Sequence, residues 1–194
     1  MKSWMKQTVV FMVAAIAAAS FTGCGAAKVE VPKNMTGSVY TQISMWEEKG
    51  HVNAINYSVG RKIPANTKVK IISMSSKNIV FEDSRHPGVK ISLDNSEKHT
   101  QMNTVQLAAQ YFDASKVNVS KFSKAEQAFI IEFAGFYKKG ISKEAMIVAR
   151  GYPPKHETPD LKYDQWRYWR NRWVSNYLNF KDDKAMAFKG QPLQ

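Results

Sequence analysis

An α+β fold is predicted, with a small β-barrel over residues 39–100 followed by a two-layer unit of helix, helix and three-stranded meander within 101–194. Three observations carry this expectation. Short runs of alternating polar and apolar residues crowd positions 68–93. Two serines, Ser123 and Ser142, each stand immediately before an apolar pattern of helical period. Finally, Trp166-Arg167-Tyr168-Trp169-Arg170 and Tyr177-Leu178-Asn179-Phe180, joined through residues 171–176, predict a hairpin. Apolar residues make up 44% of the 194 positions and aromatics 12%, enough for one or two small cores and too much for a wholly disordered chain.

Lys68-Val69-Lys70-Ile71 alternates as a half-buried strand does, and Ile63-Pro64-Ala65-Asn66-Thr67 before it has the residues of a turn. Asn78-Ile79-Val80-Phe81-Glu82 and Val89-Lys90-Ile91-Ser92-Leu93 supply two further strands across a polar connection at 83–88. Trp46 and the segment His51 to Val59 have room for one or two more. A barrel this small is marginal alone and is expected to pack on the helical segment after residue 100. His86 and His99 are expected as turn or surface residues, because a strand separates them and no Cys/His cluster stands at ligand spacing, so no metal or other cofactor is expected.

Asn103 and Thr104 can cap a helix running to about Phe112 that buries Val105, Leu107, Ala108, Tyr111 and Phe112. Ser123-Lys124-Ala125-Glu126 has capping-box spacing. The helix it opens carries Phe129, Phe133, Phe136 and Tyr137, with Ile130 and Ile131 broadening its apolar face, and Lys138-Lys139-Gly140 are expected to end it. Ser142 caps a third, two-turn helix through Arg150, too short to stand without packing. From Gly151 to Gln165 no secondary structure is expected; a loop of 15 residues is uncommon unless it is functional or held by its own side chains.

Lys2 and Lys6 precede an apolar run from Val9 to Ala19, too short to span a bilayer as a helix but suited to an export signal over residues 1–23. Phe21-Thr22-Gly23-Cys24 resembles the lipobox of bacterial lipoproteins. That resemblance implies a thioether-linked diacylglycerol and palmitate-type acylation on Cys24, the chain's only cysteine. Residues 24–38 are expected to be a flexible tether, reaching at most about 50 Å. Gly25 after the cysteine, in place of the aspartate that retains such proteins in the inner membrane, implies the outer membrane, facing the periplasm.

Gly140-Ile141-Ser142-Lys143-Glu144-Ala145-Met146, Gly151-Tyr152-Pro153, then Trp166, Tyr168 and a strand ending at Phe180 resemble the SmpA/OmlA family of outer-membrane assembly lipoproteins, which share the β-lactamase-inhibitor-like architecture. The likeness covers residues 121–190 and implies a protein-binding or scaffold role in outer-membrane assembly or maintenance. The strand-turn-strand from Tyr57 to Ile72 resembles small SH3-like barrels.

The formal charge of +12 falls to +10 without the two leader lysines, which favours anionic partners. Export makes nucleic acid an unsuitable one, leaving envelope proteins, with peptidoglycan or anionic lipid as the alternative. No paired carboxylates, nucleophile–base pair or ligand cluster is evident, so a non-enzymatic protein is expected. Trp166 and Tyr168 should alternate into the sheet core. Tyr152 and His156 in the long loop, with Arg170, Arg172 and Trp173 near the hairpin tip, are the candidate partner-binding residues, since Trp, Tyr and Arg dominate binding hot spots.

Overall fold

Alternation in the first half builds a curled sheet, described here from a computed structural model covering residues 26–133 and 137–186. β1 (Lys28–Val29), β2 (Ser38–Thr41), β3 (Met45–Glu47), β4 (His51–Asn53), β5 (Arg61–Ile63), β6 (Lys68–Ser75), β7 (Asn78–Asp83) and β8 (Lys90–Asp94) come first. After them come α1 (Glu97–Thr100), α2 (Thr104–Tyr111), β9 (Phe112–Asp113), α3 (Lys124–Glu132), α4 (Lys143–Arg150), β10 (Gln165–Trp169), β11 (Ser175–Lys181) and β12 (Lys184–Ala185). The main sheet runs β4-β8-β7-β6-β2-β9, with β1 added to β6, and all its pairings are antiparallel except β4 with β8. A break in register between Ile71 and Ser73 marks a bulge in β6, the kind of irregularity that bends a strand. The fold is α+β, with more strand than helix.

Val69, Ile71, Ile79, Phe81, Ile91 and Leu93 point inward from the central strands and meet Leu107, Ala108, Tyr111 and Phe112. α2 and β9 therefore belong to the first core, which reaches past residue 100 to Phe112. The second core gathers Phe129, Phe133, Tyr137, Met146, Trp166, Tyr168, Leu178 and Phe180, and takes Trp46 from β3. Its two helices cover a meander in the order β10-β11-β12. Asp182 and Asp183, both in left-handed conformation, form the two-residue β11–β12 turn, matching strand twist as such turns do. Phe136, expected on the apolar face of the second helix, lies outside the described residues.

The tether expected over 24–38 does not extend that far. Lys28 and Val29 pair with Ser75 and Met74 of β6, while Val29 and Val31 pack on the first core and Met35 is buried within it. The apolar side chains among the polar ones gain more by covering the sheet than by staying solvated. Two helical expectations also change. Val105 faces solvent, and Ile131 is 71% exposed instead of broadening the covered face. α3 stops at Glu132, several residues before Lys138-Lys139-Gly140. Its end is set from outside: the Lys62 ammonium donates to the Ile130 and Ile131 carbonyls at 3.2 Å each, a cation at the negative end of the helix. Burial pulls that ammonium down to about 8.

All three predicted caps form, at Asn103, Ser123 and Ser142. Ser123 accepts from the Glu126 N–H, and the Glu126 carboxylate accepts from the Ser123 N–H in return. That carboxylate also accepts from the Ser142 N–H and the Lys184 ammonium, each at 2.9 Å, joining α3, the start of α4 and β12. Burial works to raise its pKa, but hydrogen bonds from Ser142, Lys184 and Ser123 outweigh this and hold it well below the usual range. A carboxylate lowered in the folded state stabilises the fold above its unfolded value near 4.5, and that contribution is lost as pH falls toward the folded value. Replacing Glu126 with Ala should cost about 3 kcal/mol at neutral pH in urea unfolding, and Glu126→Gln should flatten the melting temperature's decline below pH 4.5.

Candidate binding site

The long loop starts at a glycine with no substitute. Gly151 has φ +88°, and a Cβ there would stand 1.9 Å from Asn56 Nδ2. Its carbonyl accepts from the buried Tyr168 hydroxyl at 2.9 Å. Pro153 and Pro154, both buried, stiffen the exit, and the Pro154 carbonyl accepts from the Glu157 and Thr158 N–H groups, closing a turn. His156 lies against α1: its backbone N–H donates to the His99 carbonyl at 3.1 Å, and the two imidazoles meet at a 55° tilt with centroids 4.5 Å apart. On the far side, Thr158 Oγ1 accepts from the Arg167 N–H, and the Arg167 guanidinium donates to Glu157 at 2.7 Å. The loop is thus pinned to α4, α1 and β10.

Between this loop and α1–α2 runs a groove of about 340 Å³. Tyr152, Pro153, Pro154 and Leu161 form one wall; Ala54, Met102 and Tyr111 form the other, and Thr100, Gln110, Lys155 and Asp160 add polar groups. Burial raises the Tyr152 and Tyr111 hydroxyls, so both stay neutral, and the Tyr111 hydroxyl is committed to the Ala54 carbonyl. An apolar trough with a few fixed polar groups suits binding. Among the described residues, no group of three His, Cys, Asp or Glu is placed to hold a metal ion.

The hairpin makes a second surface. Trp166 and Tyr168 turn into the core, so Arg167 and Trp169 face outward, as strand alternation requires. The Arg167 guanidinium lies 4.6 Å from the Trp169 ring and 5.2 Å from that of Tyr177, its cross-strand neighbour. At the tip, Trp173 is 82% exposed, with Arg170 and Arg172 also in solvent. Asn171 Oδ1 accepts from the Trp173 and Val174 N–H groups and sets the turn. The tip lies beside the loop after β4: burial raises the Tyr57 hydroxyl and the Arg172 charge opposes it.

Of the residues singled out in the sequence, Tyr152 lines the groove and His156 fixes the loop from behind. Arg170, Arg172 and Trp173 form a separate surface, and Cys24 lies outside the described residues. Ala54, Met102, Tyr111 and His99 were missed because only the fold brings them to the loop. Arg167 could have been found, since it alternates with two residues expected in the core. No protein-family model, curated protein or solved structure matches this chain.

The tilted histidine pair is expected to couple the loop to pH. Burial foremost, then the neighbouring His156 and Lys98, lower His99, and Glu157 acts against them. A histidine lowered in the fold loses its contribution to stability as pH falls through its folded value, below the ordinary 6.5. Amide exchange in residues 152–161, corrected for intrinsic rate, should quicken several-fold between pH 7.5 and pH 5; His99→Phe, which keeps a ring and removes the charge, should blunt the change.

Proposed function

We propose that this chain is a non-enzymatic, lipid-anchored envelope protein that binds another envelope protein, in outer-membrane assembly or maintenance. The observation that carries the reading is the groove: apolar walls from distant parts of the chain, one of them a loop held at three points. Such a surface is preformed, so little ordering entropy is lost when a partner fills it. The helix, helix, meander order of the second unit supports kinship with SmpA/OmlA-like domains. The curled antiparallel strands of the first unit support an SH3-like barrel.

Lipid attachment at Cys24 and a periplasm-facing outer-membrane position complete the proposal, on the lipobox and Gly25. Two or three acyl chains, at about 0.8 kcal/mol per buried CH₂, would hold the protein firmly on a bilayer. No described helix is long and apolar enough to cross a membrane.

Two measurements test this function. A photo-crosslinker at Lys155 in living cells should give a discrete protein adduct that Met102→Asp, which places a charge in the groove wall, reduces at least five-fold while the variant remains folded. An adduct insensitive to that change would remove the groove from the function. Separately, Cys24→Ala should move the protein out of the envelope membrane fraction and abolish labelling by radioactive palmitate.

A further inference from the structure

The distance from Cys24 to the fold is short. β1 begins at Lys28, so the intervening chain spans at most about 14 Å, far less than a tether running to residue 38 would allow. The point where the chain joins the sheet must therefore lie close to whatever holds Cys24.

Val29, Met74, Ile79, Leu93 and Val52 are successive partners across five strands, one row from β1 to β4. At about 4.8 Å per strand, the row is roughly 19 Å long. Four residues along the chain from Val52, the Asn56 carbonyl accepts from the Arg150 guanidinium at 2.5 Å, and the Trp169 carbonyl accepts from the same group at 2.8 Å. Trp169 is the last residue of β10, and the tip begins at the next. The hairpin tip is thus tied, through Arg150 and Asn56, to the β4 side of the sheet, while the attachment point joins its β1 side; a membrane surface is what the anchored chain is held against.

The chemistry of the tip fits such a surface. Arg170, Arg172, Trp173 and Val174 are exposed, and residues 165–181 contain no Asp or Glu. Tryptophan, with an apolar ring and one N–H donor, favours the boundary between hydrocarbon and water. Arginine pairs in a bidentate manner with phosphate. We infer that the β10–β11 tip is a second membrane contact, with Trp173 seated at the phospholipid interface and Arg170 and Arg172 on lipid phosphates. The inference rests on the proposed anchoring through Cys24; it orients the protein, placing this end of the sheet against the bilayer.

The lone thiol allows a direct test. The purified chain, coupled through Cys24 to a maleimide phospholipid in phosphatidylcholine vesicles containing phosphatidylserine, is compared with and without lipids brominated near the headgroup. Bromine should quench part of the tryptophan emission. Trp173→Phe should abolish most of that quenching, and the double replacement Arg170→Gln, Arg172→Gln should at least halve it, with circular dichroism unchanged. Equal quenching in the wild type and Trp173→Phe would overturn the contact, as would a Trp173 that no lipid quenches. The mass of the native chain is read separately: a missing acyl group overturns the anchor, whereas the coupled vesicles still decide the tip.

Discussion

The Arg150 guanidinium is a buried joint between the two halves of this protein. It is 1% exposed, and the groups around it are carbonyls, aromatic rings and the Tyr137 hydroxyl rather than carboxylates. It donates to Asn56 and Trp169, one from each half, and lies 5.1 Å from the Trp46 ring and 5.0 Å from that of Tyr168. A buried cation without partners would cost several kcal/mol; here aromatic faces and fixed carbonyl dipoles replace the lost water. The backbone at the same residue closes the junction, since the Arg150 carbonyl accepts from Asn56 Nδ2 at 2.6 Å. α4 is only eight residues long and depends on such tertiary contacts, so the joint holds the helix and both cores together.

The candidate surfaces follow from that joint. Gly151 follows Arg150 directly, and its left-handed backbone sends the chain along Tyr152, Pro153 and Pro154 to form one wall of the groove. The opposite wall belongs to α2 and the residue after β4, parts of the first core. Had the two units been merely linked, the groove would have no fixed width. The hairpin is positioned by the same guanidinium through Trp169, so the loop and the tip are displayed on one frame although they form separate surfaces.

Much of this architecture was legible beforehand for local reasons. The central strands followed from period-two alternation, Trp166 and Tyr168 turned inward for the same reason, and the caps at Ser123 and Ser142 were written in side chains that bond their own helix. What was misjudged depended on distant partners. α3 ends early because Lys62, some seventy positions upstream, occupies its last carbonyls. Residues 28–35 pack down because β6 offers an edge and the core a place for Met35. The groove is similar: Tyr152 and the loop's length were visible, whereas Met102, Tyr111 and His99 came to the loop only through folding.

By itself, the sequence determined where strands alternate, where helices are capped, which stretch forms the long loop and which residues load the hairpin with rings and arginines. Each of those is a local property, set within a few residues by backbone sterics and side-chain period. The tertiary structure alone decided that Arg150, which the sequence presents as an ordinary basic residue at a helix end, is buried. It also decided that the loop faces α2 across a groove, and that the chain joins the sheet four residues after Cys24. These are matters of long-range packing, in which a side chain's environment comes from residues far from it in sequence.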